Sequence, residues 1–235
     1  MWIKATLTGQ SVSSTMWPTS NLRNFMTQAV SNLAPGKRLQ QKEARRTDII
    51  EAALAEFASQ GFTATKLDDV AVRAGIGKGT IYLYFNSKES LFEEVVRCTL
   101  FPGREMAESY VEDFEGTATE LMINHFRFIY GFFENEKVPL LLAIVLAEAA
   151  RFPQLAQFFF DEMIRPSRQL IQDIIERGIA SGEFRASASL IHHQLLISPA
   201  VLAAIFNLQF HQQEPIDFAV YSEMHIDFIL RGLKA

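Results

Sequence analysis

The sequence predicts an all-α fold for this chain of 235 residues. Three observations indicate it. Apolar residues recur at intervals of three and four from Arg45 onward, which is the spacing of one helical face. No stretch shows the strict alternation of apolar and polar residues that is typical of a half-buried strand. Glycine and proline separate the periodic segments, where they can end one helix before the next begins.

Composition places the chain among globular proteins with a real core. Apolar residues make up 49% of the chain and charged residues 21%, and phenylalanine is abundant at 20 copies. The single cysteine, Cys98, excludes an internal disulfide. The longest apolar run, 138–147, is far shorter than the roughly 20 residues that span a bilayer. Since no secretory signal is evident either, we expect a cytoplasmic protein.

Residues 1–36 differ from the rest of the chain. They mix Ser, Thr, Asn, Pro and Gly with little periodicity, so we expect a disordered tail. Met16 and Met26 are candidates for an alternative translation start, and either would shorten this tail.

Four helices are predicted next, of which the first two have clear stops. The apolar face of the first helix consists of Ile50, Ala53, Leu54 and Phe57, and Gly61 is its predicted end. The second carries Leu67, Val70, Ala71 and Ala74 at the same spacing, with Thr65 as a predicted cap and Gly75 as its end.

The third predicted helix, 78–85, turns Ile81 and Phe85 inward. The fourth begins at Asn86 or Ser87, and the sequence "FPG" at 101–103 predicts a bend or an end within it. Because a tight glycine turn joins the second helix to the third, residues 37–92 are predicted to form a helix-turn-helix domain.

Residues 93–235 are predicted to form a larger helical domain for ligand binding and dimerisation. The helices expected after "FPG" cover 104–113, 117–134, 138–150, 153–180, 187–209 and 216–232.

The stretch "GIGKGTIYLYF", at 75–85, superficially resembles a phosphate-binding loop. A Walker-type loop requires four residues between its first glycine and Gly-Lys-Ser/Thr, together with a preceding buried strand. Neither is present here, which argues against nucleotide binding.

The same stretch has the residue types of a DNA-reading helix. Lys78, Thr80, Tyr82 and Tyr84 can donate hydrogen bonds to phosphates and base edges, and Gly79 permits close backbone approach. The segment 37–46 carries five basic residues and one acidic residue, a local charge of +4 that favours phosphate contacts. The alternative is a small bundle with a tyrosine-rich, solvated surface.

Catalytic and metal-binding patterns are not found in the sequence. It contains no HExxH, CxxC pair or GxSxG, and the adjacent His192 and His193 diverge by about 100° on a helix. We therefore predict no catalytic residue, no metal site and no cofactor, and the chain is interpreted as a non-enzyme.

Residues 45–96 closely resemble the DNA-binding domain of the TetR (tetracycline-repressor) family. The resemblance rests on Gly61-Phe62, Asp69-Val70-Ala71, Ala74-Gly75, the run from Lys78 to Tyr82, Tyr84-Phe85, Lys88-Glu89 and Leu91. Family members often carry a serine or other small polar residue at the position of Gly77, and a second threonine or serine at the position of Lys66.

The resemblance implies a homodimeric transcriptional regulator, a repressor in most family members, that binds a near-palindromic double-stranded operator. The implied DNA contacts are Arg45, Arg46, Thr65, Lys66, Lys78, Gly79, Thr80, Tyr82, Tyr84 and Lys88. It also implies a small-molecule effector and pairing through the last two long helices, near 187–209 and 216–232. Both helices are apolar on most faces, which independently favours a partner.

An effector pocket is predicted from an aromatic stripe in the helix at 117–134. The candidate ligand-binding residues are His125, Phe126, Ile129, Phe133 and Glu148, with Arg127 as a further polar anchor; they suggest a small hydrophobic effector. An aromatic stripe is also typical of an ordinary core. Two alternatives therefore stay open: a DNA-binding regulator without a ligand, and a helical enzyme or lipid carrier.

Overall fold

The computed structural model describes residues 37–234 and shows a helical protein. No β-strand occurs within this range, where an isolated bridge pairs Phe184 with Lys234. The α-helices are α1 (Lys37–Ala64), α2 (Leu67–Arg73), α3 (Lys78–Ile81), α4 (Lys88–Glu112), α5 (Ala118–Phe133), α6 (Lys137–Glu148), α7 (Pro153–Phe159), α8 (Arg165–Ala180), α9 (His193–Phe210) and α10 (Phe218–Leu233). A π-helical turn, Phe160–Ile164, joins α7 to α8, and a 3₁₀ turn, Ala186–Leu190, precedes α9.

The all-α prediction is therefore confirmed, and so are two of its stop signals. Gly61 interrupts α1 with a φ of 77° and a ψ of 164°. Residues that have a Cβ rarely adopt this backbone conformation. Gly75 has a φ of 66° and follows Ala74, the C-cap of α2. The predicted disordered tail, 1–36, lies outside the described residues.

Several predicted helix boundaries were wrong, among them the start of the helix predicted at 187–209, whose α-helical part begins at His193. The α-helical part of α3 ends at Ile81 rather than Phe85, and residues 82–84 continue as tight turns, in which Leu83 N–H donates to the Thr80 carbonyl at 3.1 Å. The helix α4 does not end at "FPG" but continues through Pro102 to Glu112. Its inner face stays buried on both sides of Pro102, at Leu100, Gly103 and Ala107, and this packing favours a continuous helix although proline removes one backbone hydrogen bond.

The beginning of α4 is fixed by its own side chains. Ser87 is the N-cap, and Ser87 and Ser90 form a reciprocal capping box. Of the two caps offered by the sequence, Ser87 is the one used.

Two hydrophobic cores lie within residues 45–234. The first joins the inner faces of α1–α4 to residues of α5, α6, α7 and α9, so apolar packing is continuous from the helix-turn-helix into the following helices. The second is built from α5, α8, α9 and α10. The predicted domain boundary at 92/93 falls inside α4; the division stays a prediction, with α4 belonging to both parts.

Candidate DNA interface and ligand cavity

The turn between α2 and α3 has the geometry of a helix-turn-helix. Ile76 N–H donates to the Ala71 carbonyl at 3.0 Å, which closes the end of α2 around Gly75. Thr80 N–H donates to the Gly77 carbonyl at 2.8 Å and starts α3. Because Ile81 is completely buried, one side of α3 is held against the helical core and the other side is left at the surface.

The exposed side of α3 and the following turn carries most of the predicted reading residues. Lys78, Gly79 and Tyr82 are exposed, the last with 52% of its surface accessible. Thr80 and Tyr84 are half-buried. Sequence reasoning missed Leu83, which is 83% exposed beside Tyr82, because its apolar side chain did not fit the search for hydrogen-bond donors.

Asp68 of α2 links two of these residues. Lys78 Nζ donates to Asp68 Oδ2 at 2.9 Å, and the Tyr82 hydroxyl lies 3.5 Å from Asp68 Oδ1. The hydrogen bond from Lys78 lowers the pKa of Asp68, and the same bond raises the pKa of Lys78. An exposed ion pair of this kind adds little stability, so Asp68 holds the Lys78 ammonium only weakly.

The remaining predicted DNA contacts have different surroundings. Arg45 and Lys66 are exposed, whereas Arg46 forms an ion pair with Glu94 at 2.9 Å. Thr65 is only 1% exposed, and its hydroxyl donates to the Gly61 carbonyl at 2.8 Å. The predicted cap at Thr65 was wrong: Lys66 occupies the N-cap of α2 and makes no side-chain cap hydrogen bond.

Lys88 forms its hydrogen bonds with the backbone at the end of α1. Its Nζ donates to the carbonyls of Phe62 and Thr63 at 2.8 Å each, and to that of Thr65 at 3.3 Å. It also lies 4.7 Å from the centre of the Phe62 ring. Backbone carbonyls that a helix end leaves unpaired are thus satisfied by a cation from α4. The sequence could not show this contact because it depends on how α4 meets α1.

A cavity of about 480 Å³ lies among the helices that follow the helix-turn-helix. Its walls come from α4, α5, α6, α8, α9 and the π-helical turn, and most of the lining side chains are aliphatic or aromatic. π-Helical turns of this kind are often found at functional sites. The volume falls within the range of about 300–1,000 Å³ that is typical of small-molecule sites.

Three of the predicted ligand residues line this cavity, namely His125, Ile129 and Phe133. Phe126, their neighbour, faces the second core and is completely buried there. Glu148 is not among the lining residues; its carboxylate accepts a hydrogen bond from Thr63 at 3.3 Å, next to the end of α1. Phe126 and Glu148 each face away from the cavity because of how their helices are rotated about their own axes. The sequence pattern did not reveal that rotation.

The polar anchor Arg127, too, lies elsewhere. It pairs with Glu223 of α10 at 2.7 Å and does not line the cavity. The cavity instead contains Arg104, whose Nη1 donates to the Glu162 carbonyl at 2.7 Å. Sequence reasoning missed Arg104 because only the packing of α4 against the π-helical turn brings the two together.

Two histidines lie in the cavity wall. His125 of α5 is buried, and its desolvation, followed by the proximity of His193, lowers its pKa to about 4. His193 of α9 is also buried, and burial followed by the charge of Arg168 lowers its pKa. The Ser167 hydroxyl lies 3.2 Å from His193 Nε2. At neutral pH both imidazoles are therefore uncharged.

Comparison with known protein families identifies both parts of the chain. Residues 49–95 match the model of bacterial regulatory proteins of the tetR family. Residues 122–209 match the C-terminal domain of AefR-like transcriptional repressors.

Individual relatives agree with the family models. The chain is 33% identical over 148 residues to the HTH-type transcriptional repressor KstR2 of Mycolicibacterium smegmatis, covering 62% of this chain and 70% of that protein. It is 29% identical over 192 residues to the uncharacterised HTH-type regulator YhgD of Bacillus subtilis, covering 81% of this chain and 97% of the relative.

A solved structure shows the same fold. A transcriptional regulator from Saccharomonospora viridis, in complex with choline, superposes with a TM-score of 0.66 at 20% identity, over 83% of this chain and 99% of the other. Together with the exposed α3 surface, these matches show that the chain belongs to the TetR family of bacterial transcriptional regulators. It is a DNA-binding transcriptional repressor of the TetR type.

Proposed function

We propose that this repressor acts as a homodimer in the cytoplasm, reads a near-palindromic operator with α3 and the turn after it, and responds to a small molecule in the cavity. The observation that carries the DNA-reading part is the surface formed by Lys78, Gly79 and Tyr82. It is exposed while Ile81 and Phe85 anchor the same segment in the core.

The exposed surface supplies the chemistry that DNA requires. Lys78 and Tyr82 offer donors for phosphate oxygens and base edges. An added Cβ on Gly79 would meet no heavy atom within 4 Å, so the backbone there is open to an approaching duplex. Arg45 and Lys66 are exposed and add positive charge, whereas Thr65 and Lys88 contribute through the folding of the reader.

Two exposed apolar rows support pairing of two copies. On α9, Leu195 and Leu202 are exposed seven residues apart, and on α10 Val220, Met224 and Phe228 follow each other at intervals of four. Residues at these spacings share a helix face. By length and composition α9 would also suit a membrane span, with 28% of its residues buried. A partner helix covers such a face equally well, and we propose a four-helix interface from α9 and α10 of both copies.

Operator binding by a dimer places two reading segments about 34–36 Å apart, or further if the operator separates them. The helix α4 offers a physical connection between reader and ligand. Its first turns bury Leu91 and Phe92 in the core of the helix-turn-helix, and its later turns place Leu100 and Gly103 in the cavity wall. A ligand that displaces α4 therefore changes the position of the reader.

A gel-shift titration with the region upstream of the protein's own gene tests DNA reading. Lys78→Ala and Tyr82→Ala are each expected to weaken binding by about tenfold or more, because each removes a donor at the DNA surface. Lys137→Ala is the matched control, since Lys137 is also exposed and paired with a carboxylate, Glu51, at 2.9 Å. If both reader variants bind as tightly as the unmodified protein, the reading surface has been assigned wrongly.

A further inference from the structure

Two buried ring nitrogens at the cavity wall have no hydrogen-bond partner among the described residues, 37–234. They are His125 Nε2 and His193 Nδ1. Folded proteins leave few buried polar atoms unpaired, so each one requires an explanation. Both residues line the same cavity.

Most of the remaining cavity wall is apolar, although Ser167, Gln194 and Ser198 also line it. Ile129 and Phe132 of α5, Leu142 of α6 and Val201 of α9 belong to it. A molecule that fills this space must therefore be largely hydrophobic, and among the polar side chains of the wall the two imidazoles are those with a buried, unpaired ring nitrogen.

Charge in the cavity argues against an ionised head group. The guanidinium of Arg104 lies 3.5 Å from a Glu108 oxygen and 3.6 Å from a Glu162 oxygen, so two carboxylates already balance it. Burial keeps both imidazoles uncharged, and no carboxylate contributes to the pKa of either. Arg104 Nε makes no hydrogen bond, but these carboxylates already neutralise its charge, so an anion would lose its hydration here without gaining an unpaired cation.

We propose that the cavity binds a hydrophobic ligand with one uncharged oxygen, a hydroxyl or a carbonyl, which His125 and His193 recognise by hydrogen bonds. A hydroxyl both donates and accepts, and a neutral imidazole offers one donor and one acceptor, so the pair suits either group. The inference rests on the proposed function, because it names the chemistry of the effector.

Direct binding to three probes with one ring skeleton tests the proposal. Fluorescence titration of the full chain is expected to show 2-naphthol binding about five- to tenfold more tightly than naphthalene, the difference that one net hydrogen bond gives. The ionised 2-naphthoate is expected to bind more weakly than 2-naphthol. Tighter binding of 2-naphthoate than of 2-naphthol, or no binding of any probe up to its solubility, would overturn the proposal.

Variants identify the groups responsible. His125→Phe and His193→Phe are each expected to reduce 2-naphthol affinity toward that of naphthalene, while naphthalene affinity stays within about twofold and reports an intact cavity. His225→Phe is the matched control, because His225 is equally buried but does not line the cavity. Should one histidine variant fail to fold, the other gives the same comparison. Unchanged 2-naphthol affinity in a folded variant contradicts the assignment.

The test separates this proposal from the proposed function. Gel shifts on the same preparations report DNA binding without any probe, so a failure of probe recognition leaves the operator result standing. If 2-naphthol releases the protein from its operator and 2-naphthoate does not, ligand recognition in the cavity is coupled to DNA binding.

Discussion

His125 is an ionisable side chain in surroundings that disfavour its charged form. It is 4% exposed, and burial followed by the proximity of His193 lowers its pKa from 6.5 to about 4. A histidine that stays neutral in the folded state makes the free energy of unfolding sensitive to acid. At low pH the unfolded chain binds a proton at this residue and the folded chain does not.

The sign of this effect gives a prediction. Stability from neutral His125 is fully present above pH 6.5 and is lost as the pH falls from 6.5 toward 4, by about 3 kcal/mol in the free energy of unfolding. Urea denaturation at fixed protein concentration, compared between the unmodified chain and His125→Phe, measures it. The pH profile of the variant should be flatter by that amount over this interval; parallel profiles would show that His125 is not held neutral.

Lys88 and Thr65 show that a residue type alone does not specify a role at this scale. Both match the family pattern of a DNA-binding domain, yet one satisfies three carbonyls after α1 and the other is buried against Gly61. A lysine or a threonine has the right donors for either role. The role depends on whether a neighbouring helix end leaves backbone carbonyls unpaired, because such carbonyls accept hydrogen bonds from a nearby donor within the protein.

At the scale of elements, glycine determines how closely α8 and the segment after it approach. Phe184 N–H donates to the Gly178 carbonyl at 3.0 Å, and a Cβ on Gly178 would overlap the buried ring of Phe184. This contact closes the end of α8 over the second core.

Gly178→Ala is therefore expected to lower the free energy of unfolding by about 1–3 kcal/mol through overpacking, despite the better helix propensity of alanine. Thermal and urea denaturation followed by circular dichroism measure the change. Gly232→Ala, within α10, is the control: an added Cβ there meets no heavy atom within 4 Å, so stability should stay the same or rise by up to about 1 kcal/mol. An equal effect of the two substitutions would refute the packing explanation.

For the whole molecule, the exposed apolar rows on α9 and α10 make a prediction about assembly. Phe228 is 76% exposed and Leu202 is 67% exposed, large values for residues of their size. If these rows form the proposed interface, a charge placed on them must be desolvated on pairing, which disfavours the dimer.

Phe228→Glu combined with Leu202→Glu is expected to convert the protein from a dimer to a monomer. Light scattering after size-exclusion chromatography should give the mass of one chain instead of two. Val72→Glu is the control, since Val72 is 70% exposed in the helix-turn-helix, away from both rows. A monomeric unmodified protein, or a dimeric double variant, would exclude this interface.

The sequence alone determined the helical fold, the helix-turn-helix, its glycine stops and the surface of α3 and the following turn that carries Lys78 and Tyr82. These features are local: a spacing of three and four defines a helix face, and Gly61 and Gly75 adopt positive φ because few other residues can. Family resemblance could then be read from the same short segment.

Only the tertiary structure decided which residues of the larger domain form the cavity. Phe126 and Glu148 fit the sequence pattern of a ligand site, but helix rotation places one in the second core and the other beside Thr63. Arg104 and His193 come from distant helices and meet His125 in one cavity wall. Such a site is defined by contacts between segments far apart in the chain, and the periodicity of a single helix carries no information about them.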